Sequence, residues 1–161
     1  MKHAEVTDLR ILLVEDDFYS AHDLADRIAA AGGRVLGPVA SVAAALALTH
    51  EGPVDGAILD VESHGAAIFA IADALARRGV PFLFTAGRQP DILPRRHSAV
   101  PFCAKQVSSA RKLAVLVERI ARSAQLAGGN GPPRAPSVAA RRVMQGAAGQ
   151  QSPWLPGARA V

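Results

Sequence analysis

Acidic residues end two of the short apolar runs in this chain. Glu15 and Asp16 follow one run and Asp60 ends another, while two later runs lead to Thr85 and Lys105. Carboxylates about 4 Å apart repel by roughly 4 kcal/mol near a protein surface, so such a cluster needs a cation. Carboxylate oxygens with room for water suit Mg²⁺. A metal ion, an ammonium and a hydroxyl around one carboxylate predict phosphoryl transfer, with Asp60 attacking phosphorus.

Apolar runs of strand length alternate with segments of helical spacing, which predicts an α/β fold. The predicted strands are 9–14, 34–39, 56–60, 81–85 and 101–104. The predicted helices are 20–31, 41–50, 66–78 and a last one from 108 or 109 to about 124. Five βα units in strict alternation predict a doubly wound parallel sheet with right-handed crossovers. Ligands bind in such sheets at the carboxyl ends of the strands, where the reactive residues lie.

Residues 87–100 have the weakest pattern. Pro90 and Pro94 allow one short helix at most, and the stretch is rich in arginine. We therefore expect the fourth helix to be short or mobile. Asp17 is expected to cap the first helix. His64 lies near the predicted site, and the other histidines are expected at the surface.

Charge and composition divide the 161-residue chain in two. Residues 1–124 hold 14 Lys+Arg and 14 Asp+Glu, so they form a neutral predicted domain without a compositional sign of nucleic-acid binding. Residues 125–161 are rich in Gly, Pro and Ala and are predicted to be a disordered basic tail. The whole positive excess is in that tail, at Arg134, Arg141, Arg142 and Arg159.

Compartment is predicted from two features of the sequence. The single cysteine, Cys103, cannot form an internal disulfide, fits a reducing cytoplasm and is expected to be a buried small apolar residue. No apolar stretch reaches about 18 residues, so no membrane contact is predicted.

Residues 9–122 resemble the receiver domain of two-component response regulators. Four motifs carry the resemblance: LLVEDD with the acidic pair Glu15 and Asp16, AILDVE with Asp60, FLFTAG with Thr85, and PFCAK with Phe102 and Lys105. Each motif alone is weak, but their order, each at a predicted strand end, is specific. The run VESHGAAIFAIADALARRGVPFLFTAG is similar to single-domain receivers of alphaproteobacteria.

The resemblance implies a flavodoxin-like (βα)5 receiver fold and phosphorylation of Asp60 by a histidine kinase or histidine phosphotransfer protein. It implies Mg²⁺ held by Glu15, Asp16, Asp60 and the backbone carbonyl of Glu62. Thr85 and Phe102 would form the switch, and Lys105 would neutralise the phosphate. The domain would then signal by binding a downstream protein target, or it would drain phosphate from a kinase. The resemblance is also compatible with a homodimer. No enzymatic activity is expected beyond Mg²⁺-dependent self-phosphorylation and autodephosphorylation.

Two positions depart from the receiver pattern. Gln106 follows Lys105 where receivers usually have a cis proline, and a cis bond to a non-proline residue costs about 3–4 kcal/mol, so a trans bond is expected. The usual Met-Pro stretch of receivers is replaced by Glu62, Ser63, His64 and Gly65, and the Glu62 carboxylate is expected to reach the metal through water or to repel an attacking hydroxide.

Three other functions compete with this hypothesis. A phosphorylation-independent pseudo-receiver would keep the fold as a binding module. A haloacid-dehalogenase-like phosphatase would use Asp60, Glu62, Thr85 and Lys105, but such enzymes place metal-binding acids after the lysine, where only Glu118 is found. A transcription factor is disfavoured because the tail has no helix-turn-helix pattern.

Overall fold

The computed structural model describes residues 6–88 and 93–126, with side chains up to residue 123. The predicted tail lies outside this part of the chain, apart from residues 125 and 126 at the end of the last helix. No helix in the described part is long and apolar enough to cross a membrane.

Five parallel strands form one sheet in the order β2-β1-β3-β4-β5. The strands are β1 (Arg10–Val14), β2 (Arg34–Val39), β3 (Gly56–Asp60), β4 (Phe82–Ala86) and β5 (Phe102–Ala104). The helices are α1 (Phe18–Ala30), α2 (Val42–Glu51), α3 (Val61–His64), α4 (Ile68–Arg77) and α5 (Ser109–Leu126). The predicted doubly wound α/β sheet is thereby confirmed.

Helices cover both faces of the sheet because alternate residues of the central strands point to opposite sides. Every residue of β1, β3 and β4 is buried. Ile11 and Leu13 of β1 pack in the cluster that contains Leu24 of α1 and Leu116 of α5. The intervening Leu12 packs in the opposite cluster, against α2 and α4. Burial on both faces explains why these strands are continuous apolar runs.

Side chains at the helix starts explain where α1 and α2 begin. The Asp17 side chain accepts a hydrogen bond from the Ser20 backbone N–H at 2.8 Å, which confirms the predicted cap of α1. Ser41 caps α2 through the Ala44 N–H at 3.3 Å. Each cap satisfies a backbone donor that has no partner within the helix.

The predicted helix 66–78 is shorter in the structure, where α4 spans Ile68–Arg77 and two short elements precede it. The four-residue α3 follows β3 directly, a 3₁₀ turn spans Gly65–Ala67, and α4 then runs to Arg77. Gly65 has φ of +50°, a conformation that favours glycine, at the junction. Helix α3 places residues 61–64 beside the carboxyl end of β3, where the predicted site residue Asp60 lies.

Between β4 and β5 the sequence predicts one short helix at most. The described residues there contain only a 3₁₀ turn at Arg95–His97, while residues 89–92 lie outside the described part. His97 was expected at the surface but is 3% exposed, with ring contacts to Phe69, Phe82 and Phe84. Its Nε2 lies 2.8 Å from Asp73 Oδ1 on α4, so the turn is held to the domain by a buried ring.

Candidate functional site

Four strands bring the predicted site residues to one edge of the sheet. Asp60 is the last residue of β3 and pairs in register with Thr85 of β4. Glu15 follows β1 directly, and Lys105 follows β5 directly. Because the strands are parallel, their carboxyl ends meet at the same edge. The predicted convergence of these residues is therefore present in the structure.

Three carboxylates form a cluster that is buried on one side and open on the other. Glu15, Asp16 and Asp60 each offer an oxygen, and these oxygens lie within 4.8 Å of one another. Asp60 is 0% exposed and Glu15 is 3% exposed, whereas Asp16 faces solvent. Hard oxygen donors with one solvent-facing side fit a Mg²⁺ ion that keeps part of its water shell.

Lys105 compensates the buried carboxylates from the other side. Its Nζ lies 3.0 Å from Asp60 Oδ2 and 3.4 Å from Glu15 Oε1. Burial of the ammonium lowers its pKa, but the hydrogen bond to Asp60 and the charge of Glu15 outweigh this and raise the pKa overall. The Lys105 backbone N–H donates to the Ala86 carbonyl at 2.7 Å, which ties the residue to β4. Lys105 is thus a fixed positive charge beside Asp60.

Glu15 is the carboxyl group whose proton affinity the site changes most. Burial raises its pKa to about 7, and the charge of Asp60 contributes in the same direction. The Asp17 backbone N–H, which donates to Glu15 Oε1 at 3.0 Å, and the Lys105 ammonium act against this rise. Glu15 therefore takes up a proton more readily than a free glutamate does.

Ser63 belongs to this cluster, although the sequence analysis did not identify it. Its hydroxyl Oγ lies within hydrogen-bonding distance of Asp16 Oδ1 and of Asp60 Oδ2, and it donates its single proton to one of these carboxylates at a time. Ser63 lies three residues after Asp60 on α3, so one helical turn returns it to the end of β3. A small polar residue at this spacing after the strand-end acid was the available signal.

The Glu62 carboxylate contacts the loop after β4 and Lys105, and its approach to the metal through water stays a prediction. Its Oε1 accepts a hydrogen bond from the Gly87 backbone N–H at 2.7 Å, and its Oε2 lies 3.6 Å from Lys105 Nζ. Gln106 Nε2 donates to the Gly87 carbonyl at 3.2 Å. Both departures from the receiver pattern thus bind the loop after β4. The role of the Glu62 backbone carbonyl as a metal ligand stays a prediction.

The peptide bond after Lys105 is trans, as expected from the sequence. Gly37–Pro38 is the cis bond found in the described part of the chain. The loop after β5 nevertheless keeps the Lys105 side chain on Asp60.

Thr85 has a buried hydroxyl that forms no hydrogen bond with any described residue. The residue is 1% exposed, and its Oγ1 makes no hydrogen bond within the described residues. Leaving a buried hydroxyl unsatisfied costs about 1–3 kcal/mol, so an acceptor brought to Asp60 would relieve that cost. Phe102 is half-buried against the core on β5, in register with Phe84, the residue before Thr85. This geometry fits an anionic group placed on Asp60.

Solved structures provide the comparison with known proteins. The chain is similar to the BeF₃-activated conformation of SdrG from Pseudomonas melonis Fr1, at 31% identity and a TM-score of 0.57, over 74% of this chain and 98% of that chain. No model of a known protein family matches the chain, and no curated protein sequence matches it.

Two more distant structures show the same fold. A CheY-like response regulator receiver domain protein from Methanospirillum hungatei JF-1 matches at 18% identity and a TM-score of 0.65, over 74% of this chain and 99% of that chain. The receiver domain of the sensor histidine kinase PA1611 from Pseudomonas aeruginosa PAO1, which has magnesium coordinated in its active site cleft, matches at 20% identity and a TM-score of 0.61, over 71% and 99%. With 31% identity across nearly all of SdrG, and with its fold shared by these receivers, the chain belongs to the receiver-domain family of two-component response regulators.

Proposed function

We propose that this receiver domain accepts a phosphoryl group on Asp60 from the phosphohistidine of a histidine kinase or histidine phosphotransfer protein. One observation carries the proposal. The Asp60 carboxylate lies 3.0 Å from Lys105 Nζ, inside a carboxylate cluster and beside the unsatisfied hydroxyl of Thr85. A nucleophile, a cation and an unused donor around one point are the parts that phosphoryl transfer to an aspartate requires.

The residues of the site have separate tasks in that reaction. An oxygen of Asp60 attacks phosphorus, the bond from phosphorus to the histidine nitrogen breaks, and the imidazole leaves with that electron pair. The Lys105 ammonium stabilises the charge on the phosphoryl oxygens. Glu15, Asp16, Asp60 and the backbone carbonyl of Glu62 are the proposed ligands of Mg²⁺, which would neutralise charge on the transferring group.

The orphan hydroxyl of Thr85 is the proposed start of the signal. Phosphorylation adds acceptor oxygens next to Thr85, so its hydroxyl gains a partner that the described residues do not provide. Movement of Thr85 would vacate space that the half-buried Phe102 can enter. The surface around β5 and α5 would then change, and a downstream protein would read it, or the domain would drain phosphate from a kinase.

The compared proteins support this proposal. SdrG has a BeF₃-activated conformation, and the PA1611 receiver domain coordinates magnesium in its active site cleft. On this proposal the domain works in the cytoplasm, where its buried Cys103 stays a free thiol.

A phosphorylation-independent pseudo-receiver is the second candidate, and Ser63 favours it. The Ser63 hydroxyl bonds two of the carboxylates that would hold the metal, so the cluster is partly satisfied without one. In that case the domain would bind its partner in the unphosphorylated form.

Intact-mass spectrometry after incubation with acetyl phosphate and Mg²⁺ tests the proposed function. We expect one phosphoryl group on the wild type and on Asp26→Asn, an exposed acid outside the site, and none on Asp60→Asn. Loss of the label on treatment with hydroxylamine would identify an acyl phosphate. Equal labelling of Asp60→Asn would contradict the assignment of Asp60, and an unlabelled wild type would favour the pseudo-receiver.

A further inference from the structure

A cavity of about 420 Å³ opens at the end of the sheet opposite the acidic cluster. It lies between the end of α4, the start of β4, the 3₁₀ turn and the second half of α5. Val80, Phe82 and Val100 contribute apolar surface to its wall. Arg96 and His97 of the 3₁₀ turn between β4 and β5 also line the cavity. Its size is in the range of pockets that bind ligands or single side chains of a partner.

Three arginines, Arg96, Arg119 and Arg122, line the same cavity. The Arg96 guanidinium binds Asp73 through two hydrogen bonds of 2.7 and 2.9 Å. Arg122 forms an ion pair with Glu118, one helical turn earlier. Two of the three positive charges are therefore compensated by carboxylates of the domain itself.

Arg119 differs from its two neighbours. Its Nη1 donates a long hydrogen bond of 3.5 Å to the Ala99 carbonyl, and its buried Nε has no hydrogen-bond partner within the described part of the chain. Burial lowers the pKa of this guanidinium, and the charge of Arg122 lowers it further. A planar donor fork that is partly desolvated and lacks an acceptor is suited to a carboxylate.

The sequence that follows α5 does not supply this carboxylate from an acidic side chain. Glu118 is the last acid in the chain, and the four later charged residues are all arginines. The arginines of the cavity would repel a positively charged segment such as the one that follows α5. Within residues 6–88 and 93–123, Arg119 therefore has no carboxylate partner, and its guanidinium can accept one from outside this part of the chain.

We infer that this cavity, the Arg119 pocket, binds an acidic segment of a partner protein. A carboxylate of that segment pairs with Arg119, and a neighbouring apolar side chain enters the space beside Val80, Phe82 and Val100. The mixture of apolar wall and arginines favours a peptide over a simple anion, because a simple anion would leave the apolar surface unused. The pocket shares no residue with the Asp60 cluster, so the inference does not depend on phosphorylation.

Selection from a phage-displayed library of random short peptides tests this inference on the full unphosphorylated chain. We expect peptides selected by the wild type to be enriched in Asp or Glu next to a Leu, Ile or aromatic residue. Binding of the selected peptide should weaken at least about tenfold in Arg119→Gln and should fall as salt rises. Arg111→Gln removes an exposed charge elsewhere on α5 and should bind like the wild type.

Three results would overturn the inference. The first is a selection without acidic enrichment, and the second is equal binding by Arg119→Gln. The third is displacement of the peptide by an equal concentration of inorganic phosphate, which would make the pocket a general anion site. Size-exclusion chromatography tests whether a second copy of this chain occupies the pocket. A wild-type dimer that Arg119→Gln abolishes would assign the pocket to that second copy and would also overturn the inference. Because the Asp60→Asn protein should bind the same peptides, a failure here is separate from a failure of the proposed phosphorylation.

Discussion

The acidic cluster at Asp60 and the Arg119 pocket are two charged regions at opposite ends of one sheet. They differ in whether side chains of the domain neutralise their charges. At the acidic cluster, Lys105 and Ser63 from the same chain bind the carboxylates. At the pocket, Arg119 has no carboxylate partner in the described residues. A self-compensated site must be opened before it binds a cation, whereas an uncompensated charge is ready for a ligand from outside.

Removal of the compensating charge should give the largest effect on stability. Lys105→Met leaves two buried carboxylates without a counter-charge, and breaking such pairs costs several kcal/mol. Because Lys105 is 22% exposed, we expect a loss of about 2–3 kcal/mol in the free energy of unfolding. Arg96→Gln, at the exposed pair beside the pocket, should cost less. Urea unfolding at pH 8 without metal measures both, and a larger loss for Arg96→Gln would reverse the comparison.

The pH dependence of stability should show the second effect. The Glu15 pKa is raised from 4.5 to about 7, so the folded state keeps a proton that the unfolded state releases first. Stability from this group is fully present below pH 4.5 and is lost as pH rises to about 7. We expect a loss of the order of 2 kcal/mol in the metal-free wild type.

Glu15→Gln provides the control for this effect. It removes the titrating group, so the difference between wild type and variant across this pH range isolates Glu15 from the histidines. Unfolding free energies measured at intervals between pH 4.5 and 8 give that difference. If the unfolding free energies of the two proteins change with pH in parallel, the titration of Glu15 does not contribute to the pH dependence of stability.

Displacement of the Ser63 hydroxyl by a metal ion should give the smallest effect, a change in the affinity of the acidic cluster for Mg²⁺. The Ser63 hydroxyl bonds Asp16 and Asp60, and Mg²⁺ would have to displace it. Since a hydrogen bond contributes about 1 kcal/mol, Ser63→Ala should bind Mg²⁺ about fivefold more tightly. Isothermal titration calorimetry measures this, with the exposed Ser98→Ala as the control. Weaker binding by Ser63→Ala would instead make the Ser63 oxygen a metal ligand.

Sequence patterns were most informative where a residue's position depends on its own strand. Asp60, Thr85 and Lys105 end or follow buried strands, and parallel strands end at one edge, so their convergence was predictable. The cap at Asp17 was predictable for a similar local reason, since its side chain reaches a backbone N–H three residues on. Such predictions need only the periodicity of the chain and the direction of the sheet.

Contacts between distant segments were not predictable in this way. Nothing in the sequence indicated that the Glu62 carboxylate accepts a hydrogen bond from the Gly87 N–H, 25 residues away in the loop after β4. His97 looked like a surface residue because its neighbours are polar, yet three phenylalanines and Asp73 enclose it. A local pattern contains no information about which side chains from other segments surround a loop.

The sequence by itself determined the five-stranded α/β fold and the set of reactive residues at its strand ends, because strand burial and strand direction follow from the apolar runs. Only the tertiary structure decided how their charges are compensated. It brought Ser63 and Lys105 onto Asp60, and among the described residues it gave Arg119 no carboxylate partner. The physical reason is that pairing and desolvation depend on distances between groups on different elements, which packing of the whole domain sets.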